Sequence, residues 1–183
     1  MVVSLAILTV TMLPVGYATL KSSSAFSSLV KRSDLVSRAP VIVDRLVEEI
    51  SGGRLISPAS PSNSSSVRFD HVTSVSAGAP VYGAPIQIDF VSTENAGSDS
   101  LDNDGDGITD EGGIRIWEDR DPTGATPGNE DVVVVIAENL ASNGLLFTRL
   151  GNTLLISATF EAVAERGKTS ETFTIHSAAP ITD

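Results

Sequence analysis

The chain contains no cysteine. That excludes a disulfide framework, a thiolate zinc site and a cysteine nucleophile. Basic residues are scarce: 12 Lys and Arg stand against 23 Asp and Glu, for a net charge of −11. A surface that follows a phosphate backbone needs clustered cations, so nucleic acid is not an expected partner. Aromatic residues make up only 5% of the chain, which leaves no set of stacking platforms for single strands. The signatures of a P-loop, an H-E-x-x-H zinc helix and a G-x-S-x-G nucleophile elbow are all missing. With two histidines only, His71 and His176, and the first of them next to Asp70 in an alternating stretch, no catalytic constellation emerges and no enzymatic activity is expected.

What the chain does have begins at Met1. Residues Met1–Leu20 carry no charge and form the longest apolar run. As a helix, Val2–Leu20 spans about 28 Å, the thickness of a bilayer's hydrocarbon core. The expectation is a transmembrane half-helix in contact with inner-membrane lipid. A signal peptide would carry a charged start and a shorter core. From Lys21 on, Phe26, Leu29, Val30, Ala39, Val43, Leu46 and Ile50 recur at spacings built from threes and fours, with Lys31, Arg32, Asp34, Arg38, Asp44, Arg45, Glu48 and Glu49 between them. That is an amphipathic pattern. Ser51-Gly52-Gly53 supplies a stop. The two stretches therefore read as one long helix, with residues 1–20 as its membrane half and 21–52 as its amphipathic half.

These residues resemble the start of type IV pilins and of type II secretion pseudopilins. GLLFTRLGNTLLISATFEAVAERGKTSETFTIHSAAPI, near the C-terminus, resembles the closing strands of J-type minor pseudopilins. That family begins with a basic leader, a Gly-Phe-Thr-Leu-type cleavage site and a glutamate a few residues in. Met1 aligns just after the place of that glutamate, so the expected start lies upstream. The resemblance implies a non-enzymatic minor subunit of a pilus-like filament. The machine it implies first is type II secretion. The subunit would be held in the inner membrane as a single-pass protein with a periplasmic head until it joins a periplasmic or extracellular filament. Its partners would be other pilin-like subunits, through the N-terminal helix. A minor type IV pilus subunit serving adhesion, motility or DNA uptake is the alternative. A secreted or anchored calcium-dependent binding module is a further one, from a different functional class.

Residues 53–183 form the head. Leu55–Ser66 is rich in Ser and Pro and reads as a linker or exposed loop. Val67–Val72, Ile86–Val91 and Ile114–Trp117 alternate as strands, and Val132–Ala137 reads as a buried one. Asn143-Gly144 marks a bend. Leu145–Leu150 and Thr153–Ala164 form a hairpin across Gly151-Asn152, and Glu171–Ser177 closes the set. Trp117 is expected in the core or at a helix–sheet contact. A half-buried antiparallel sheet needs one covered face, and the helix is the available cover. The expected fold class is α+β, a pilin-like roll with one long N-terminal helix packed on an antiparallel β-sheet.

One stretch points to a cofactor. In LDNDGDGITDEGG, carboxylates fall at loop positions 1, 3, 5 and 9 as Asp102, Asp104, Asp106 and Asp110. Gly107 stands at the turning position and Ile108 offers its carbonyl at position 7. Position 12, where a bidentate Glu is usual, is Gly113, and Glu111 at position 10 is the candidate for a further ligand if the loop exits differently. Four carboxylates this close repel one another without a cation. The expectation is a structural calcium site within residues 102–113, bracing the fold rather than switching it, because no flanking helices are predicted.

Overall fold

The computed structural model describes residues 2–92, 111–118, 132–162 and 170–182, with side chains from Tyr17 on, apart from Ser24, Ser27, Ser28 and Val132. Helix α1 runs Val2–Ile50. Among the described residues nine strands follow: β1 Arg54–Ser57, β2 Ser66–Asp70, β3 Val72–Ser76, β4 Ala79–Tyr82, β5 Ile86–Ser92, β6 Gly112–Glu118, β7 Val132–Leu150, β8 Thr153–Ala162 and β9 Glu171–Pro180.

Seven strands form one sheet in the order β1-β2-β5-β6-β7-β8-β9, every neighbour antiparallel. β3 and β4 make a separate two-stranded arm between β2 and β5. The sheet curls until its two ends meet. Arg54 of β1 bridges Thr182, just past β9, and Thr182 N–H donates to the Gly53 carbonyl at 3.0 Å. Gly52 N–H donates to the Pro180 carbonyl at 2.9 Å.

This curl corrects the expected roll. An open sheet roofed along the length of a helix is not the architecture. The chain is dominated by a curled antiparallel sheet whose own concave side chains make most of the core: Val67, Phe69, Ile88, Ile114, Leu140, Leu145, Phe147, Leu154, Ile156 and Phe160 are buried together. The helix contributes Ala39, Val43, Leu46 and Ile50, and touches β8 and β9. The physical reason is twist. Seven antiparallel strands accumulate enough of it to curl, and a curled sheet covers much of its own inner face.

The apolar stripe expected along the helix therefore divides. Its C-terminal members are buried, whereas Phe26, Leu29 and Val30 are 69%, 61% and 51% exposed. Among the described residues no helix is long and apolar enough to cross a membrane. The single-pass inner-membrane placement is corrected accordingly. From Lys21 onward the helix carries Lys31, Arg32, Asp34 and Arg38 amid serines, too polar a sequence for hydrocarbon. The side chains of residues 1–16 of the expected membrane half lie outside the described residues.

Two other expectations change. Leu55–Ser66 is not a free linker: it contains part of β1, Ser64 exchanges backbone hydrogen bonds with Phe147, and Arg149 N–H donates to the Pro61 carbonyl at 2.8 Å. The bend at Asn143-Gly144 is an irregularity inside a continuous 19-residue strand, with Asn139 and Asn143 at positive φ. The turn expected at Arg166-Gly167-Lys168 lies outside the described residues.

Candidate assembly surfaces

The helix end is fixed first. Ser51 N–H donates to the Val47 carbonyl at 2.9 Å, and Gly52 takes φ +77°, the left-handed stop that its sequence predicts. The Glu49 carbonyl, one of the helix's last four acceptors, receives the His71 Nε2–H at 2.8 Å. His71 thus serves the helix terminus. His176 stands exposed on β9 opposite Ser157.

N-terminal to this anchor the helix leaves the sheet. Of the residues with described side chains between Tyr17 and Val30, none is buried, and Tyr17, Leu20, Phe26, Leu29 and Val30 are each more than half exposed. Val36 and Val41 continue an apolar flank alongside the buried stripe, 47% and 67% exposed. Arg32 reaches Glu171 at 2.9 Å, an exposed pair of little energetic weight. Between the helix and β7 lies a groove of about 460 Å³, lined by Leu35, Ile42 and Ile136 with Lys31, Arg38 and Glu161 among its polar residues.

The convex face of the sheet is organised by ion pairs that sequence reasoning missed. Asp89 is 8% exposed and accepts from Arg115 Nε at 2.8 Å and Nη2 at 2.5 Å. Asp70 is 4% exposed and accepts from Arg54 Nε at 3.1 Å and Nη2 at 2.6 Å. Both are bidentate forks, the geometry in which Arg binds carboxylate best. The hydrogen-bonded carboxylate raises each guanidinium's pKa above its ordinary value, so both arginines stay charged. The Arg54 guanidinium also lies 3.6 Å from the centre of the Tyr82 ring. Trp117 is 1% exposed, but it opposes Gln87 on the face away from Ile88 and Ile114, outside the helix-bearing core. Among the described residues its buried indole Nε1–H has no hydrogen-bond partner. Pairing across 16 or 26 residues leaves no local spacing signal, which is why these partners were not legible.

Of the expected calcium ligands, Asp102, Asp104, Asp106, Ile108 and Asp110 lie outside the described residues. Glu111 is described: it is 4% exposed and directly precedes β6. Ser92 and Gly112 are register partners, so residues 93–111 leave and re-enter the sheet at adjacent points. Among the described residues no group of three or more His, Cys, Asp or Glu could hold a metal ion.

No family model, curated protein or solved structure matches the chain. The expected assignment to pseudopilins and type II secretion therefore has no known relative to carry it.

Proposed function

We propose that this chain is a non-enzymatic assembly subunit, in which a β-rich head is carried on a helix that packs against the helices of like subunits in a pilus-like filament. The observation that carries the reading is the exposed apolar flank of α1. A lone helix exposing Phe26, Leu29 and Val30 to water gains little from its own propensity, because most helical stability in proteins comes from packing an apolar face. Helices of neighbouring copies offer such a face at the same pitch. The sequence resemblance supplies the filament form. The divided stripe supports it: one set of apolar positions is used up by the head, and a second set remains.

The acidic loop fits the same reading as a brace. Ordering a long connection costs conformational entropy. A calcium ion held by Asp102, Asp104, Asp106, the Ile108 carbonyl, Asp110 and Glu111 would fix residues 93–111 above the stem that Ser92 and Gly112 close.

The test is association in solution. Sedimentation velocity and negative-stain microscopy across a concentration series should show the wild-type chain forming higher assemblies. The pair Leu29→Asp and Val30→Asp, both at exposed positions, should remain monomeric with an unchanged head. A wild type that stays monomeric throughout, or a variant that assembles equally, overturns the proposal.

A further inference from the structure

Helix α1 carries two separate apolar surfaces outside the core. The first is the flank of Phe26, Leu29 and Val30, each more than half exposed. The second is the floor of the groove of about 460 Å³ between α1 and β7, where Leu35, Ile42 and Ile136 pack only partly against the core. Leu35, Arg38 and Ile42 belong to the groove's helical wall. By the 3.6-residue turn of a helix, the flank lies roughly 150° around α1 from that wall.

Charge is sorted between the same two places. Residues 1–33 contain Lys21, Lys31 and Arg32 and no Asp or Glu, so all 23 acidic residues lie from Asp34 onward. The groove's helical wall holds both signs. Lys31 stands at its N-terminal end, and Arg38 Nε donates to Asp34 at 3.0 Å. Among the described residues the sheet wall holds Glu138 and Glu161 and no cation.

We infer that the Phe26–Val30 flank of one copy docks in the α1–β7 groove of the next. The inference rests on the assembly reading above and names the surface that receives the helix. Geometry selects a second copy. Helix α1 is continuous from Val2 to Ile50, so a chain's own flank is held in line with its groove, before it and on the far side, and cannot fill it. Charge selects the same partner. A stem whose charges are all positive is drawn to a sheet wall whose charges are all negative, whereas two acidic heads repel. Apolar side chains seated on Leu35, Ile42 and Ile136 remove area from water on both partners. Because flank and groove face nearly opposite ways, two copies cannot fill each other's grooves at once. The contact is heterologous and propagates as a chain of copies.

The absence of cysteine makes the test direct. Phe26→Cys on the flank and Val135→Cys in the groove, both at exposed positions, are prepared separately, mixed and treated with mild oxidant. The expected result is a disulfide-linked dimer from the mixture, at several times the yield of a control that pairs Phe26→Cys with Val75→Cys on the β3–β4 arm. Adding Glu138→Lys, at an exposed position, to the groove variant should lower that yield several-fold. Sedimentation velocity of the wild type is run beside it. A wild type that assembles while the mixture links no better than the control, or while Phe26→Cys links chiefly to itself, overturns the groove contact and leaves the helix packing standing. A yield unmoved by Glu138→Lys also overturns the groove contact. A monomeric wild type with no link overturns both readings.

Discussion

The imidazole of His71 donates from Nε2 to the carbonyl oxygen of Glu49, 2.8 Å away, tying the start of the β3–β4 arm to the C-terminal turn of the helix. The ring also meets Phe69 edge-on, with centroids 5.4 Å apart. A helix end concentrates partial negative charge on its last carbonyls, so a donor there is favourable. His71→Ala removes the donor and should cost about 1 kcal/mol. Urea denaturation checks this. His71→Gln, which can still donate, should lose less.

Arg115 and Asp89 form a part-buried bidentate pair. Removing either partner alone leaves a desolvated charge. Arg115→Leu or Asp89→Leu should each cost about 2 kcal/mol, and the double variant should cost clearly less than the sum. A double-mutant cycle in urea measures the difference. The pH dependence has a definite sign. Arg115's folded pKa is raised by the Asp89 carboxylate, so its contribution is complete below the unfolded arginine pKa and is lost only as pH rises through the still higher folded value. Between neutral and mildly alkaline pH the guanidinium should impose no slope on stability.

Gly144 sits where β7 passes irregularly beside β8. A Cβ there would lie 2.5 Å from the Thr159 carbonyl oxygen and 2.6 Å from that of Ala141. Both are backbone atoms and cannot rotate away. Gly144→Ala should destabilise by about 2 kcal/mol or more, read as a lower urea midpoint.

Ala77 adopts φ +51° beside Gly78 at φ +80°, in the two-residue turn of the arm. This turn favours Asn at its first position, and alanine there is strained. Ala77→Asn should stabilise the arm. Faster amide exchange in β3 and β4 of the variant than of the wild type would contradict this.

If calcium braces residues 93–111, thermal melting of the full chain should fall in EGTA and recover with added calcium. Asp104→Ala combined with Asp106→Ala should melt at the EGTA value and ignore the ion. Equal melting temperatures with and without EGTA would sink the brace.

Some of this was written in local sequence. Ser51-Gly52-Gly53 set the helix end, because a left-handed residue is a local requirement. Gly151-Asn152 set the β7–β8 hairpin, and the alternation at Ile86–Val91 and Ile114–Trp117 set two central strands, because a strand with one buried face repeats every second residue. The acidic spacing from Asp102 to Glu111 is likewise a local signal. Other features were decided only in three dimensions. Periodicity put Phe26, Leu29 and Val30 in one stripe with Val43 and Leu46, but the curl of the sheet determines how far along the helix the core extends, and it stops short of them. Arg54 finds Asp70, Arg115 finds Asp89 and Thr182 closes onto Gly53 through strand register and sheet curvature, which sum over many residues and leave no mark at any one. Sequence by itself determined where the chain turns and which residues prefer to be buried. Tertiary structure decided which of those preferences the chain satisfies alone, because coverage depends on the shape of the whole sheet, and it thereby left the flank of the helix exposed.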